Sequence, residues 1–212
     1  RAGCVAYVYD LIQEYDNYII AETFVKVEHA LLGLEGTDID KVTTVYSHPQ
    51  GFMQCEKFLS KHKDWQQISQ ANTAGSAKKV LEENDKTHVA IASEEAAEVY
   101  NLSVLAKKIN DLDNNTTRFV IVTNTRKFVK NAKKMSIVFE TANEPGTLYN
   151  LLSHIIYNGL NMNKIESRPI EGRPWEYRFF IDFEGNIDDP AVMNALRGIQ
   201  EEAKAIKLLG NY

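Results

Sequence analysis

The chain is poor in cysteine and proline, with two and five in 212 residues, and it has no long apolar run. Cys4 and Cys55 show neither metal-ligand spacing nor a disulfide logic, so they read as reduced, buried thiols of a cytoplasmic protein that holds no metal. No stretch of about 18 apolar residues is present, which argues against a membrane span. No signal peptide is visible either. Basic clusters are scarce too. The formal net charge is -5, and the single basic run, Arg126 to Lys134, lies between strand-like segments and reads as a solvated linker, so nucleic acid is not the expected partner. What remains, 44% hydrophobic and 25% charged residues, is the composition of an ordinary globular protein large enough to bury one or two cores. The chain opens on Arg1-Ala2-Gly3 and reads as the interior of a longer protein.

Periodicity predicts alternating elements. Val5, Tyr7, Val8, Leu11, Ile12 and Tyr15 recur at helical spacing. Tyr18 to Leu32 reads as one long strand or two, and Val42–Tyr46 as a short one. A helix is expected from Pro49 through Lys61, a strand at Trp65–Ser69, a helix at Thr73–Glu83, a strand at His88–Ala92 and a helix at Glu94–Tyr100 capped by Ser93. This alternation is that of an α/β layer. After a turn-forming stretch, Asn110 to Thr116, a strand resumes at Arg118–Thr123. The highly charged segment 124–134 marks the expected domain boundary.

Beyond it the pattern is strand (Ser136–Thr141), helix (Pro145–Asn158), strand (Asn161–Pro169), strand (Tyr177–Glu184), helix (Pro190–Ala203), strand (Ala205–Leu209). The order βαββαβ predicts a ferredoxin-like sandwich. Leu148, Leu151, Leu152 and Ile155 mark the buried face of its first helix. Pro145 suits that helix's first position, where its missing N–H costs nothing, and Gly146 lets an anion or another chain approach free backbone N–H groups.

Four stretches place hydroxyl, amide or imidazole groups where a strand gives way to a helix or turn: Ser47-His48-Pro49-Gln50 with Gln54-Cys55, Asn72-Thr73-Ala74, Ala92-Ser93, and Asn115-Thr116-Thr117-Arg118-Phe119. Ligands of open α/β sheets bind at that edge, and repeated polar groups there suit a small, oxygen-rich dianion. Each residue also has a plainer reading. Ser47 and Ser93 serve equally as helix caps, His48 as a hydrogen-bonded structural residue, Gln50 as a solvent-facing first-turn residue and Thr117 as an ordinary strand residue. Glu166 and Arg168 share a strand face and could simply form an ion pair.

Taken in order, Ser47-His48-Pro49-Gln50, the Thr73 turn, Ile91-Ala92-Ser93 with Ala96, Ala97 and Tyr100, Thr116-Thr117-Arg118-Phe119, and Glu166-Ser167-Arg168-Pro169 resemble the prephenate dehydratase family over essentially the whole chain. The resemblance implies an α/β protein in which an incomplete two-lobed, periplasmic-binding-protein-like catalytic domain (1–124) precedes a linker (125–134) and a ferredoxin-like ACT regulatory domain (135–212). Arg1-Ala2-Gly3-Cys4-Val5 looks like the sequence that follows the family's Pro-Ile-Glu-Asn-Ser motif, so much of the first lobe is expected upstream. The implied activity is that of a carbon–oxygen lyase, converting prephenate to phenylpyruvate, carbon dioxide and water without a cofactor. L-phenylalanine is the implied feedback effector and a homodimer or homotetramer the implied assembly.

By the same resemblance the catalytic group would be Thr117, Arg118 and Gln50. Substrate contacts or cleft-shaping residues would be Ser47, His48, Thr73, Ser93 and Phe119. The effector site would comprise Asn143, Gly146, Thr147, Leu148, Asn161, Glu166, Ser167, Arg168 and Pro169. Two positions depart from the family pattern: Thr147 replaces an alanine, with a narrower effector pocket expected, and Asn101 replaces a glycine, altering a turn. Other functions stay open at this point: an amino-acid-binding module without catalysis, an arogenate dehydratase, a solute-binding or transcription-sensor protein on the same scaffold, and a fused upstream chorismate mutase.

Overall fold

A computed structural model describes residues 7–212. Cys4 and the expected start of the first helix at Val5 lie outside the described residues. The chain forms two compact units. One is Phe24–Thr117; the other joins the residues up to Thr23 to Arg118–Tyr212. Strands β1 (Tyr18–Lys26) and β7 (Thr116–Thr123) each carry the chain from one unit into the other. The region Tyr18 to Leu32 therefore holds two strands, β1 and β2 (Ala30–Gly33). Residues 124–133 have no helix or strand and belong to the same compact unit as the C-terminal residues.

The Phe24–Thr117 unit is a layered α/β structure. Its sheet runs β4 (Gln66–Ser69), β3 (Thr44–Ser47), β5 (His88–Ala92), β2, β6 (Ser103–Ala106). Strands β4, β3 and β5 are parallel, while β2 is antiparallel to both β5 and β6. Alternation decides which face each residue serves. Ala30, Leu32, Tyr46, Ala90 and Ala92 pack under α4 (Thr73–Glu83) and α5 (Glu94–Tyr100). Leu31, Val45, Val89 and Ile91 pack on the other face, against Cys55, Leu59 and Trp65. These strands are buried on both faces, which explains their nearly continuous apolar sequence. Burial also pushes the Cys55 thiol up to about 12, so it stays protonated and inert.

Helix ends follow local chemistry. Asn72 accepts a hydrogen bond from the Gly75 N–H at 2.6 Å, and Ser93 accepts from Ala96. Asn84 and Asn101 close α4 and α5 in the left-handed region, at φ 50° and 51°. Asn enters that region more readily than most residues, so Asn101 in place of glycine keeps the turn.

The helix expected over Pro49–Lys61 is instead two, α2 (Pro49–Gln54) and α3 (Glu56–Leu59), broken at Cys55. The cause is long-range. Asp111 donates its N–H to the Gln54 carbonyl at 2.7 Å, and its carboxylate accepts the Lys57 N–H at 3.0 Å. Both backbone groups are thus supplied with partners from outside the helix.

In the other unit, β8 (Lys134–Thr141), α6 (Thr147–Tyr157), β9 (Met162–Ile170), β10 (Arg173–Glu184), α7 (Pro190–Glu202) and β11 (Ala205–Asn211) follow the expected order. Four strands in the order β11-β8-β10-β9, all antiparallel, make the ferredoxin-like arrangement. Both helices cover one face, where Met135, Ile137, Phe139, Ile181 and Phe183 meet Leu151, Ile155, Val192 and Ile199. On the other face Val138, Phe180 and Leu209 meet Ile12 of α1 (Tyr7–Glu14) and Ile19 of β1. Strands β1 and β7 extend this sheet beyond β11.

Pro145 does not open α6. The helix begins at Thr147 behind Gly146, whose φ of 84° only glycine adopts without strain. The Asp189–Pro190 start of α7 is as expected, with Asp189 accepting from Ala191 N–H at 2.9 Å.

Candidate functional site

Strands β3 and β5 are parallel, so their C-terminal ends, Ser47 and Ala92, lie on one edge of the sheet with the starts of α2, α4 and α5. His48 caps α2: its Nδ1 accepts the Gln50 N–H at 3.1 Å, which leaves the ring proton on Nε2. The Gln50 side chain is exposed, and Thr73 and Ser93 are half-buried. Starts of α2 and α4 adjoin, since a Cβ built on Gly51 would lie 3.6 Å from the Thr73 methyl and 2.4 Å from Ser47 Oγ. Ser47 is fully buried, caps no helix and donates its hydroxyl to the Ile91 carbonyl at 3.0 Å. Of the two roles expected for it, shaping the edge is the one this geometry supports.

Because β2 is antiparallel to β5, with Ala30 opposite Ala92, its first residues arrive at the same edge. They bring His29, which the sequence reasoning missed. Its imidazole is 7% exposed, and Nε2 lies 2.7 Å from Gln54 Oε1 while Nδ1 has no hydrogen-bond partner. Asn110 ties down the same residue, accepting the His29 N–H at 2.6 Å and donating to the Val27 carbonyl at 3.1 Å. A weak polar signal was present in the sequence: a histidine stands immediately before the apolar run Ala30-Leu31-Leu32. An unpartnered imidazole nitrogen in a buried place commonly marks a functional or solvated group.

Thr117 is exposed on β7, and Phe119 is 51% exposed. Arg118 points elsewhere, into a partly buried ion network. Its Nε donates to Glu22 at 2.6 Å, one terminal nitrogen to Asp182 at 2.5 Å and the other to the Tyr212 hydroxyl at 2.5 Å. Ser136 donates to the second oxygen of Asp182 at 2.5 Å, and Lys134 donates to the second oxygen of Glu22 at 2.5 Å. With its donors so engaged, Arg118 anchors β7. Burial opposes the charge on Arg118, but Asp182 and Glu22 outweigh it and raise its pKa. For Glu22, burial pushes upward, yet Lys134 and Arg118 prevail and hold the carboxyl below its ordinary 4.5.

The expected effector residues fall on two faces. Glu166 pairs across β10 with Phe180, on the side of α1, while Ser167 pairs with Phe179, on the side of α6 and α7. Directly opposed residues share a face, so Ser167 and Pro169 lie on the helix side and Glu166 and Arg168 on the other. Arg168 makes its ion pair with Asp10 of α1, at 2.5 Å, rather than with Glu166. Asn143 and Gly146 are exposed, and the space around Gly146 is open. Thr147 turns its hydroxyl back to the Glu144 carbonyl at 2.8 Å, so the loop itself consumes the extra group that was expected to narrow the pocket. Leu148 packs into the helix-side core, and Asn161 donates to Glu184 at 3.0 Å.

An α/β unit with a polar strand-end edge, linked in one chain to a ferredoxin-like unit, defines the class. The family model for prephenate dehydratase matches residues 1–127. The chain belongs to the prephenate dehydratase family. It is 38% identical to the prephenate dehydratase of Methanocaldococcus jannaschii, over 99% of this chain and 76% of that protein. It is likewise 38% identical to the bifunctional chorismate mutase/prephenate dehydratase of Stutzerimonas stutzeri, over 99% of this chain and 57% of that one. It thus spans about half the length of the bifunctional relatives it matches. Among solved structures, prephenate dehydratase from Arthrobacter aurescens in complex with L-Phe superposes with a TM-score of 0.89 at 28% identity, over 99% of this chain and 70% of that one. GqqA, described as a novel type of quorum quenching acylase, superposes equally well, 0.89 at 30% identity, over 99% and 77%. No helix among the described residues is long and apolar enough to cross a membrane.

The network predicts an acid response. Glu22 titrates lower in the folded chain than its ordinary 4.5, so the stability it contributes is present above that value and lost as pH falls through the depressed one. Glu22→Gln should flatten the fall of the thermal midpoint between about pH 5 and pH 3. Identical slopes for variant and parent would show that Glu22 does not carry the effect.

Proposed function

We propose that the protein is a prephenate dehydratase whose activity is regulated by L-phenylalanine. The observation that carries the reading is the exposed Thr117 of the Thr-Arg-Phe motif on β7, beside an Arg118 held by carboxylates. The 38% identity to a prephenate dehydratase over nearly the whole chain supports it. In the proposed division, residues 1–124 contribute to the catalytic domain, 125–134 link, and 135–212 form the ACT domain.

In the reaction the ring carboxylate leaves as carbon dioxide, its bonding electrons enter the ring, and the opposite C–O bond breaks as hydroxide takes a proton to become water. Aromatisation drives these steps, and the difficulty is the poor leaving group. A positioned hydrogen-bond donor stabilises charge developing on that oxygen, worth about 10²–10³ in rate. Thr117 is assigned that role. A threonine hydroxyl is too weak an acid to give up its proton outright, so water or another acid delivers it. Gln50, Thr73, Ser93 and the cap of α2 at His48 supply donors for the carboxylates of prephenate, with Ser47 shaping the edge. The solved relative with the acylase description raises acyl transfer as an alternative. That chemistry wants a serine hydroxyl on a histidine base, whereas Ser47 Oγ donates to the Ile91 carbonyl and Ser93 Oγ caps α5.

For the effector, the N–H groups at the start of α6 and the open space at Gly146 suit a carboxylate, and the described L-Phe complex of a relative supports phenylalanine as the ligand. Asn143, Thr147, Leu148, Asn161 and the strand Glu166–Pro169 complete the proposed site. A homodimer or homotetramer that pairs these domains is the proposed assembly.

Two variants test the reading in the protein expressed from its complete reading frame. Thr117→Ala should lower kcat for phenylpyruvate formation by about 10²-fold or more with KM little changed; an unchanged kcat removes the assignment. Gly146→Val forces a branched residue into a left-handed conformation and should abolish phenylalanine binding in calorimetry, with the circular dichroism spectrum retained. Full-strength binding would contradict the pocket.

A further inference from the structure

We propose that Asp182 is a positioning residue for the dehydration, acting through Arg118 on the backbone that presents Thr117. The inference rests on the functional reading above. Thr117 and Arg118 are adjacent on β7, and neighbouring strand residues point to opposite faces. Fixing the Arg118 guanidinium therefore fixes the direction of the Thr117 hydroxyl on the other side of the strand. Three elements hold that guanidinium: Glu22 on β1, Asp182 on β10, and Tyr212 at the end of the chain.

Asp182 is the member best placed to aim the strand. It is only 6% exposed, and Ser136 on β8 holds its free oxygen. The Ser136 hydroxyl also lies 2.8 Å from the Tyr212 hydroxyl, so the three side chains close a ring around one end of Arg118. A carboxylate so fixed has no freedom to follow a wandering strand; the strand must conform to it.

Its location gives the pair a second consequence. Asp182 stands opposite Ser136 on β8 and opposite Lys164 on β9, and β9 runs on in unbroken register to Glu166, Ser167, Arg168 and Pro169. The strand proposed to close around the effector and the residue that aims Thr117 are thus neighbours in one hydrogen-bonded ladder. A shift of β9 on effector binding reaches Asp182 across a single strand spacing, then Arg118 through one ion pair. This is a contiguous physical path.

An ion pair that only stabilised the fold would affect folding and leave the chemistry of the folded fraction alone. The test uses the protein from its complete reading frame and compares Asp182→Asn and Asp182→Glu with the parent. Prephenate kinetics and amide hydrogen exchange are read together. The proposal expects Asp182→Asn to lower kcat about 10–100-fold, the scale of a misplacement near 1 Å, with KM within about twofold. Exchange should accelerate at the amides of Thr116–Val120 while those of α4 keep their protection, and Asp182→Glu should recover most of kcat. A folded Asp182→Asn protein with parental kcat overturns the proposal whatever its exchange. So does a loss of kcat that merely tracks acceleration across all elements. If the parent itself does not turn over prephenate, the functional reading fails, and exchange alone decides: acceleration confined to β7 upholds the positioning, and unchanged or global acceleration ends it.

Discussion

One half-buried arginine organises the C-terminal unit. Arg118 draws Glu22, Asp182 and Tyr212 to itself, and through their second contacts Lys134 and Ser136, so that β1, β7, β8, β10 and the chain end share one set of charges. Removing a charge from water is expensive, and an isolated member of this set would be intolerable. Together they satisfy one another, which makes the arrangement all-or-none. Strands β1 and β7 lie at the far side of the sheet from β9, where the apolar core under α6 and α7 does not reach. Their attachment rests on β1's pairing with β11, on the apolar contacts that Ile19 and Val120 make on the opposite face, and on this network.

The elements legible in the sequence were those whose causes are local. Helix α4, strand β5 and helix α5 have the bounds that caps and periodicity predicted, because Asn72, Ser93, Asn84 and Asn101 act within a few residues of themselves. The βαββαβ order was legible for the same reason. Causes distant in sequence were not. Nothing in Pro49–Lys61 announces that Asp111 will donate a hydrogen bond to Gln54 and accept one from Lys57 in its middle. Strand β6 is four residues long and exists because β2 offers it an edge.

The candidate site divides along the same line. A motif names residue types at a strand end; Gln50 and Thr117 are exposed there and Thr73 is half-buried. Motifs do not say which side chains are spent on the fold. Arg118 and Ser47 are, the one on carboxylates and the other on the Ile91 carbonyl. His29 went unnoticed because nothing local marks it out between Glu28 and Ala30; the antiparallel entry of β2 brings it to the polar edge. On the proposed reading, the dehydratase needs little acid–base machinery of its own, since ring aromatisation drives the chemistry. It needs a hydroxyl aimed well, and rigidity is what a network of short charged hydrogen bonds provides.

The account stands on the energetic linkage of Arg118 and Asp182, and a double-mutant cycle measures it. Unfolding free energies from urea denaturation would be compared for the parent, Arg118→Gln, Asp182→Asn and the double variant. The account predicts non-additivity of about 1–3 kcal/mol, the second substitution costing little once the first is made. Effects that sum to within about 0.3–0.5 kcal/mol would mean that the two side chains do not support each other, and the anchoring of β7 would have to be sought elsewhere.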